Sequence, residues 1–164
     1  MHSSKPPYNQ IEYRDFDEKD LNHISQLLKD NKLPVSDLSE LKIDFIVATD
    51  QGEIVGCIGL ERHGTDGLLR SFAVKDGYKS QGIGGRLIAL LFAKCTVTDI
   101  KTLHLLTTTA ELYFLKKGFR KGDRSMAPPV IQATQEFSGI CPVSATYMQI
   151  DIKTGNSAPI PEKG

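Results

Sequence analysis

YKSQGIGGRLIALLFAKC, Tyr78 to Cys95, places three glycines, Gly82, Gly84 and Gly85, directly ahead of a long apolar run. Glycine inside regular structure costs roughly 0.5–1 kcal/mol relative to alanine, so the cluster marks backbone that must approach something closely. Behind it Leu87, Ile88, Leu91, Phe92 and Cys95 recur at helical spacing, which predicts a helix from about Gly84 to Thr98 with that face buried. Ahead of it LLRSFAV, Leu68 to Val74, predicts a strand. The order strand, glycine loop, helix puts the amides from about Gln81 to Arg86 at a helix N-terminus, where N–H groups without intrahelical partners and the helix dipole favour an anion such as a pyrophosphate. Lys79 and Arg86 stand at the rim, either as added positive charge or as ordinary solvated surface.

Outward from this stretch the periodicity changes several times. Ile11 to Arg14 predicts a first strand, and Asp17 predicts the cap of a helix with Leu21, Ile24, Leu27 and Leu28 on one face, closed by Pro34. A short helix is expected over SDLSELK, with Ser36 as its cap. FIVATDQGEIVGCIGLER reads as a hairpin of Phe45 to Thr49 and Ile54 to Leu60 turning over Asp50, Gln51 and Gly52. After the glycine-led helix come a strand at Thr102 to Thr108, a short helix in AELYFLKKGF stopped by Gly118, and a closing strand in SATYMQIDI. This order gives an α+β fold with a mostly antiparallel sheet. It excludes the alternating βαβ plan of a dinucleotide fold, and the chain has neither GxGxxG nor GxxxxGK followed by Ser or Thr.

A chain of 164 residues, 40% hydrophobic and 24% charged, is expected to form one domain over residues 11–152, with flexible tails at 1–10 and 153–164 rich in Pro, Ser, Gly and Lys. Twenty basic side chains against twenty acidic ones leave no net charge to draw the chain to nucleic acid or a membrane, so a small molecule is the expected partner. MHSSKPPYNQ lacks the apolar centre of a secretory signal, and a cytoplasmic location is expected. Cys57, Cys95 and Cys141 are widely spaced and odd in number, which predicts reduced thiols, the first two in the core and Cys141 nearer a surface or a site. His2, His23, His63 and His104 lack short ligand spacing, so no metal is expected.

The residues also carry a resemblance. LLRSFAVKDGYKSQGIGGRLI resembles the acetyl-CoA-binding motif of the Gcn5-related N-acetyltransferases (GNAT), Q/R-x-x-G-x-G/A, matched by Lys79, Ser80, Gln81, Gly82, Ile83 and Gly84, with Lys79 where the family prefers Gln or Arg. AELYFLKKGF is similar to the family's A-x-x-x-Y-x-x-x-GF helix, with Phe114 at the tyrosine position and Tyr113 one place earlier. CIGLE, LHLLTTTAE and APPVIQATQEFSGICPVSA are similar to the arsenic-resistance-associated N-acetyltransferases, a branch related to amino-acid N-acetyltransferases. The resemblance implies a GNAT fold whose central sheet splays at its fourth strand. It implies transfer of acetyl from acetyl-CoA, as co-substrate, to a small amino acid or a toxic analogue, including arsenic- or phosphorus-containing glutamate mimics.

That chemistry assigns roles. An oxyanion donor is typically worth about 10²–10³ in rate, and the family's position for it is the backbone N–H of Val74. The pantetheine arm is expected along Phe72, Ala73 and Val74, with Thr107 to Ala110, including Thr109, on its other side and Phe114 near the thiol. The pyrophosphate is expected on Lys79, Ser80, Gln81, Gly82, Ile83, Gly84, Gly85 and Arg86. Glu61, where the IVGCIGLE strand leaves its apolar alternation, is the expected general base, or else an exposed strand-end glutamate. Arg70 and Ser71 are expected on opposite faces of the central strand, with Arg70 either clamping an acidic group of the acceptor or forming a surface ion pair, and Thr107 and Thr108 supplying hydroxyls. The PPVIQATQEFSGICP segment, Pro128 to Pro142, is expected to fold over the acceptor, and the stretch from Arg124 to Cys141 is too long and apolar for an open groove. The expected partner is a small-molecule amine, with a homodimer left open. A lysine or polyamine acetyltransferase and a noncatalytic acetyl-CoA sensor remain the alternatives.

Overall fold

The computed structural model describes residues 11–36, 38 and 42–152. The two expected tails lie outside them, as do Asp37 and Ser39 to Leu41 of the short helix expected over SDLSELK. Seven strands form one sheet in the order β1-β2-β3-β4-β5-β7-β6. They are β1 (Ile11–Asp15), β2 (Asp44–Asp50), β3 (Glu53–His63), β4 (Asp66–Val74), β5 (Thr102–Thr107), β6 (Arg120–Gly122) and β7 (Thr146–Asp151), with helices α1 (Leu21–Asp30), α2 (Ile83–Val97), α3 (Glu111–Lys116) and α4 (Pro129–Gln132). The chain divides into two compact units, Met1–Leu60 with Ser71–Leu91 and Glu61–Arg70 with Phe92–Gly164.

In the first unit β1 pairs antiparallel with β2, Ile11 opposite Asp50, and β2 with β3, Phe45 opposite Gly59. The helical face foreseen in α1 buries Ile24, Leu27 and Leu28 against Phe45, Val47, Cys57 and Ala73. Each such aliphatic side chain stabilises the fold by roughly 1.5–3 kcal/mol. Asp17, in extended conformation, caps the entry as expected, through a 3₁₀ turn, Glu18–Asp20, that runs into α1. A capping box joins the two aspartates: the Asp20 carboxylate accepts from the Asp17 N–H at 2.7 Å and also from Arg14 Nη1 and Nη2 at 2.8 and 3.1 Å.

Arg70 and Ser71 are both buried, and Ser71 has φ 55°, in the left-handed region and outside the extended one of a regular strand. The Cys57 thiol donates to the Ser71 carbonyl at 3.3 Å.

In the second unit the parallel β4–β5 ladder runs only from Asp66 to Leu68, opposite Thr102 to His104. β5 then pairs antiparallel with β7 along its whole length, and β7 with β6. α3 ends as foreseen at Gly118, φ 102°: the Gly118 N–H donates to the Leu115 carbonyl and the Phe119 N–H to that of Phe114, with the Phe114 and Phe119 rings edge to face at 5.4 Å. Leu68, Ala127, Ile131, Phe137 and Tyr147 form the core. Residues 124–143 are tied at their base by Arg124, which donates to the carbonyls of Phe137 and Pro142, both at 2.7 Å.

The Arg14 guanidinium holds the Asp20 carboxyl below its ordinary value, so the ionised form is favoured by folding. The associated stability is complete above the unfolded-state value near 3.9 and is lost as pH falls below it through the lower folded value. Urea titrations from pH 6 to pH 2 should therefore show an acid-side loss of stability that is smaller in Asp20→Asn. An identical pH profile in that variant would contradict the assignment.

Candidate active site

The glycine loop lies in the first unit and is held by its own backbone. The Lys75 N–H donates to Val55 O at 2.8 Å, continuing the β3 contact, and the Tyr78 N–H closes a turn on Lys75 O at 2.9 Å. Tyr78 Oη donates to Asp50 Oδ2 at 2.6 Å, which ties the loop to the β2–β3 turn, and Gln81 Nε2 reaches Gly77 O at 3.3 Å. Ser80 and Gly82 both have positive φ, 68° and 83°. A Cβ built on Gly82 meets nothing within 4 Å, so this glycine serves the turn and leaves the space in front of it open.

α2 then begins at Ile83, one residue earlier than the periodicity predicts, and the Arg86 N–H donates to Gly82 O at 3.0 Å. That bond narrows the expected set of amides. Arg86 closes the first turn, leaving Gly82, Ile83, Gly84 and Gly85 as the helix-start N–H groups without intrahelical partners. Such a start, with the positive end of a fifteen-residue helix behind it, suits an anion. Lys79 pairs with Asp76 at 3.2 Å, both exposed, and the Arg86 guanidinium lies 5.8 Å from the Tyr13 ring centroid.

The second unit contains a buried charge cluster. Arg70, whose side chain has no solvent exposure, donates through Nη1 to Glu61 Oε1 at 3.0 Å and brings Nε within 3.6 Å of Glu136 Oε2. His63 Nε2 lies 2.7 Å from the other Glu61 oxygen, Oε2. Glu61 is therefore buried and paired, and the exposed alternative for it falls away, as does a surface ion pair for Arg70. The forked face expected to clamp an acceptor is occupied by the protein's own carboxylates. The cluster thus sets one guanidinium against two carboxylates, with the His63 imidazole at the remaining Glu61 oxygen.

Glu136 sits on a π-helical turn, Glu136–Ile140, closed by the Cys141 N–H on Glu136 O at 3.0 Å. Extra-residue turns of this kind recur at functional sites. The Cys141 thiol beside it is pushed up to about 12, first by burial and then by the Glu136 carboxylate. Burial likewise raises Cys57 and Cys95 to about 12, so the three thiols are protonated at neutral pH.

Other expected site residues are placed as follows. Thr107 Oγ1 accepts from the Ala110 N–H at 3.0 Å and shapes the entry to α3, while Thr108 and Thr109 are exposed. Phe114 is buried between Phe119 and Tyr113, and Tyr113 is half-buried, its hydroxyl raised by desolvation. Phe72 and Val74 are half-buried and Ala73 buried. Among the described residues no group of His, Cys, Asp or Glu is placed to hold a metal, and no helix is long and apolar enough to cross a membrane. A cavity of about 690 Å³ in the first unit has charged walls that pair with one another, Arg14 with Asp20 and Lys75 with Glu53.

Sequence reasoning missed His63 and Glu136. A signal for the first was present, since Glu61 and His63 are two apart on one strand and so share a face. Glu136 had none, because only the π turn brings it to Arg70.

Residues 42–121 match the model of the acetyltransferase (GNAT) domain. Among solved structures the chain is similar to N-acetylglutamate synthase from Neisseria gonorrhoeae complexed with coenzyme A and N-acetyl-glutamate, at 20% identity and TM-score 0.75, covering 87% of this chain and 35% of that one. It is also similar to the ribosomal-protein-S18-alanine N-acetyltransferase of Escherichia coli, at 15% identity and TM-score 0.68, covering 92% and 99%. A third is the PaiA N-acetyltransferase of Thermoplasma acidophilum in complex with coenzyme A, at 16% identity and TM-score 0.64, covering 86% and 98%. The chain thus has the GNAT fold, residues 42–121 match the domain model of that family, and the chain spans about a third of the length of the N-acetylglutamate synthase it matches.

Arg70→Met leaves Glu61 and Glu136 buried without their cation, a change that costs about 3–5 kcal/mol in comparable pairs. Urea denaturation should show a loss of that order; a loss below about 1 kcal/mol, the range of exposed pairs, would mean the cluster is solvated.

Proposed function

We propose that the protein is a GNAT acetyltransferase that moves the acetyl group of acetyl-CoA directly to the amine of a small amino acid or amino-acid analogue, within a ternary complex. The observation that carries the reading is the KSQGIG loop folded onto the first turn of α2, with Gly82 opening the space before a row of helix-start amides. In this reading the Gly82–Gly85 amides hold the pyrophosphate, with Ser80, Gln81, Lys79 and Arg86 shaping the rim. Backbone of Phe72, Ala73 and Val74 pairs with the pantetheine arm, the Val74 N–H receives the oxyanion, and Thr109 and Phe114 complete the cofactor side.

Glu61 takes the proton from the attacking amine. Its two oxygens meet different partners, Arg70 and His63, so the carboxylate is oriented before substrate arrives. Arg70 orients the Glu61 and Glu136 carboxylates, and Ser71, Thr107 and Thr108 face the acceptor. Phe114 has no hydroxyl to return a proton to the departing thiolate, so that proton comes from solvent in this scheme.

Two observations favour a small acceptor. The 124–143 segment packs Ile131 and Phe137 into the core with Leu68 and Tyr147, and the N-acetylglutamate synthase in the matched structure holds an acetylated amino acid. Within this class the resemblance to arsenic-resistance-associated enzymes points to glutamate-like analogues bearing an arsenic or phosphorus acid. The cysteines are no part of that reading, being protonated and remote in sequence from one another.

Gly84→Val should weaken acetyl-CoA binding by more than tenfold in calorimetric titration while far-ultraviolet circular dichroism stays unchanged; unchanged affinity would refute the loop assignment. Acetyl-CoA turnover against amino acids, glutamate mimics, a lysine peptide and polyamines should be fastest with the first two groups. Faster turnover of the peptide or the polyamines would move the substrate class, and acetyl-CoA binding without turnover of any amine would make the chain a sensor.

A further inference from the structure

Glu61 sits where a base can take a proton but cannot easily lose it. Its side chain is 6% exposed, one oxygen is bound by the enclosed guanidinium of Arg70, and the other faces His63. A buried carboxyl that accepts a proton in every turnover must return it to solvent before the next. His63 is the group between Glu61 and water: Nε2 stands 2.7 Å from Glu61 Oε2, and the imidazole is 25% exposed. Of the charged groups paired in the cluster, Arg70 on β4 does not release its proton, and Glu136 on the π turn meets Arg70 at Nε, a different nitrogen from the one that meets Glu61. Arg124 and Cys141 adjoin Glu136, and the Cys141 thiol stays protonated.

We infer that His63 is the proton exit of the active site, carrying to solvent the proton that Glu61 takes from the acceptor amine. The inference rests on the reading of Glu61 as the base. The steps balance over one turnover. The amine nitrogen gives one proton to Glu61 as its bond to the acetyl carbon forms and the thioester C–S bond breaks. The Glu61 carboxylic acid passes that proton to the free Nε2 of neutral His63, giving an imidazolium and restoring the carboxylate. Nδ1 then releases a proton to water, and the tautomer resets by exchange with solvent. Histidine suits the task because its ordinary pKa lies near neutrality, so it gains and loses a proton with similar ease. His63 makes no contact with the reacting atoms in this scheme and is a positioning and relay residue.

The test compares Glu61→Gln, His63→Ala and His63→Gln at saturating acetyl-CoA with the fastest amine of the panel above, in dilute buffer and with rising imidazole. Glu61→Gln should lose about 10²–10⁴ in kcat, the usual contribution of a general base, with no response to imidazole. His63→Ala should be slow in dilute buffer, by less than that loss, and recover most of its rate as imidazole is added. His63→Gln keeps a hydrogen-bonding amide toward Glu61 but cannot carry a proton, so it should be as slow as His63→Ala in dilute buffer. A slow Glu61→Gln with a full-speed His63→Ala or His63→Gln in dilute buffer would overturn the relay and leave the base standing. A slow His63→Ala that ignores imidazole would give His63 a structural role and overturn it too. Full activity in Glu61→Gln would remove the base itself, a failure distinct from either.

Discussion

A guanidinium with no access to water is tolerable only where carboxylates meet it, and Arg70 sets this condition for the second unit. Glu61 reaches it from the end of β3 and Glu136 from a π turn seventy-five positions further along the chain. Satisfying the arginine therefore fixes three segments at once, and fixes the orientation of the carboxylate read here as the base. The interaction adds little net stability against an apolar alternative, since removing two kinds of charge from water is costly. What it contributes is geometry: each Glu61 oxygen has its own partner, Arg70 for one and His63 for the other.

The loop in the first unit works by a different principle. It has few side chains with a recognisable role, and its shape comes from backbone at Gly77, Ser80 and Gly82, with Tyr78 and Gln81 as ties. This is why it was legible beforehand. A glycine pattern states a backbone requirement directly, and the same holds for the Gly118 stop of α3 and the helical face of α1. The strand order was legible because apolar periodicity switches cleanly along the chain. What escaped was set by contacts distant in sequence or by a single unusual residue. Glu136 is an ordinary glutamate until the π turn aims it, Ser71 takes a left-handed φ with no glycine to announce it, and Asp20 gains Arg14 as a partner only through the fold. Glu61 was visible as an interruption of an apolar strand, but its burial and partners were not.

Phe114 shows how a local motif constrains chemistry. Its backbone carbonyl closes the end of α3 and its ring packs on Phe119, so the position is occupied by structure. Tyr113 is one residue away and points about 100° around the helix. A hydroxyl at position 114 would have to share the space that now holds these rings together.

The Arg124 clasp bears on how this protein can change over generations. By joining the carbonyls of Phe137 and Pro142 it closes a loop whose intervening residues, Val130, Gln135, Ser138 and Gly139 among them, are largely exposed. Lengthening a loop already closed at its base costs only about 0.6 kcal/mol for each doubling. Exchanges at those exposed positions are therefore cheap to folding while Arg124 holds, whereas Ala127, Ile131 and Phe137 of the same span stay bound to the core and Glu136 to Arg70, so new surface chemistry can arise there with the buried charge cluster left intact.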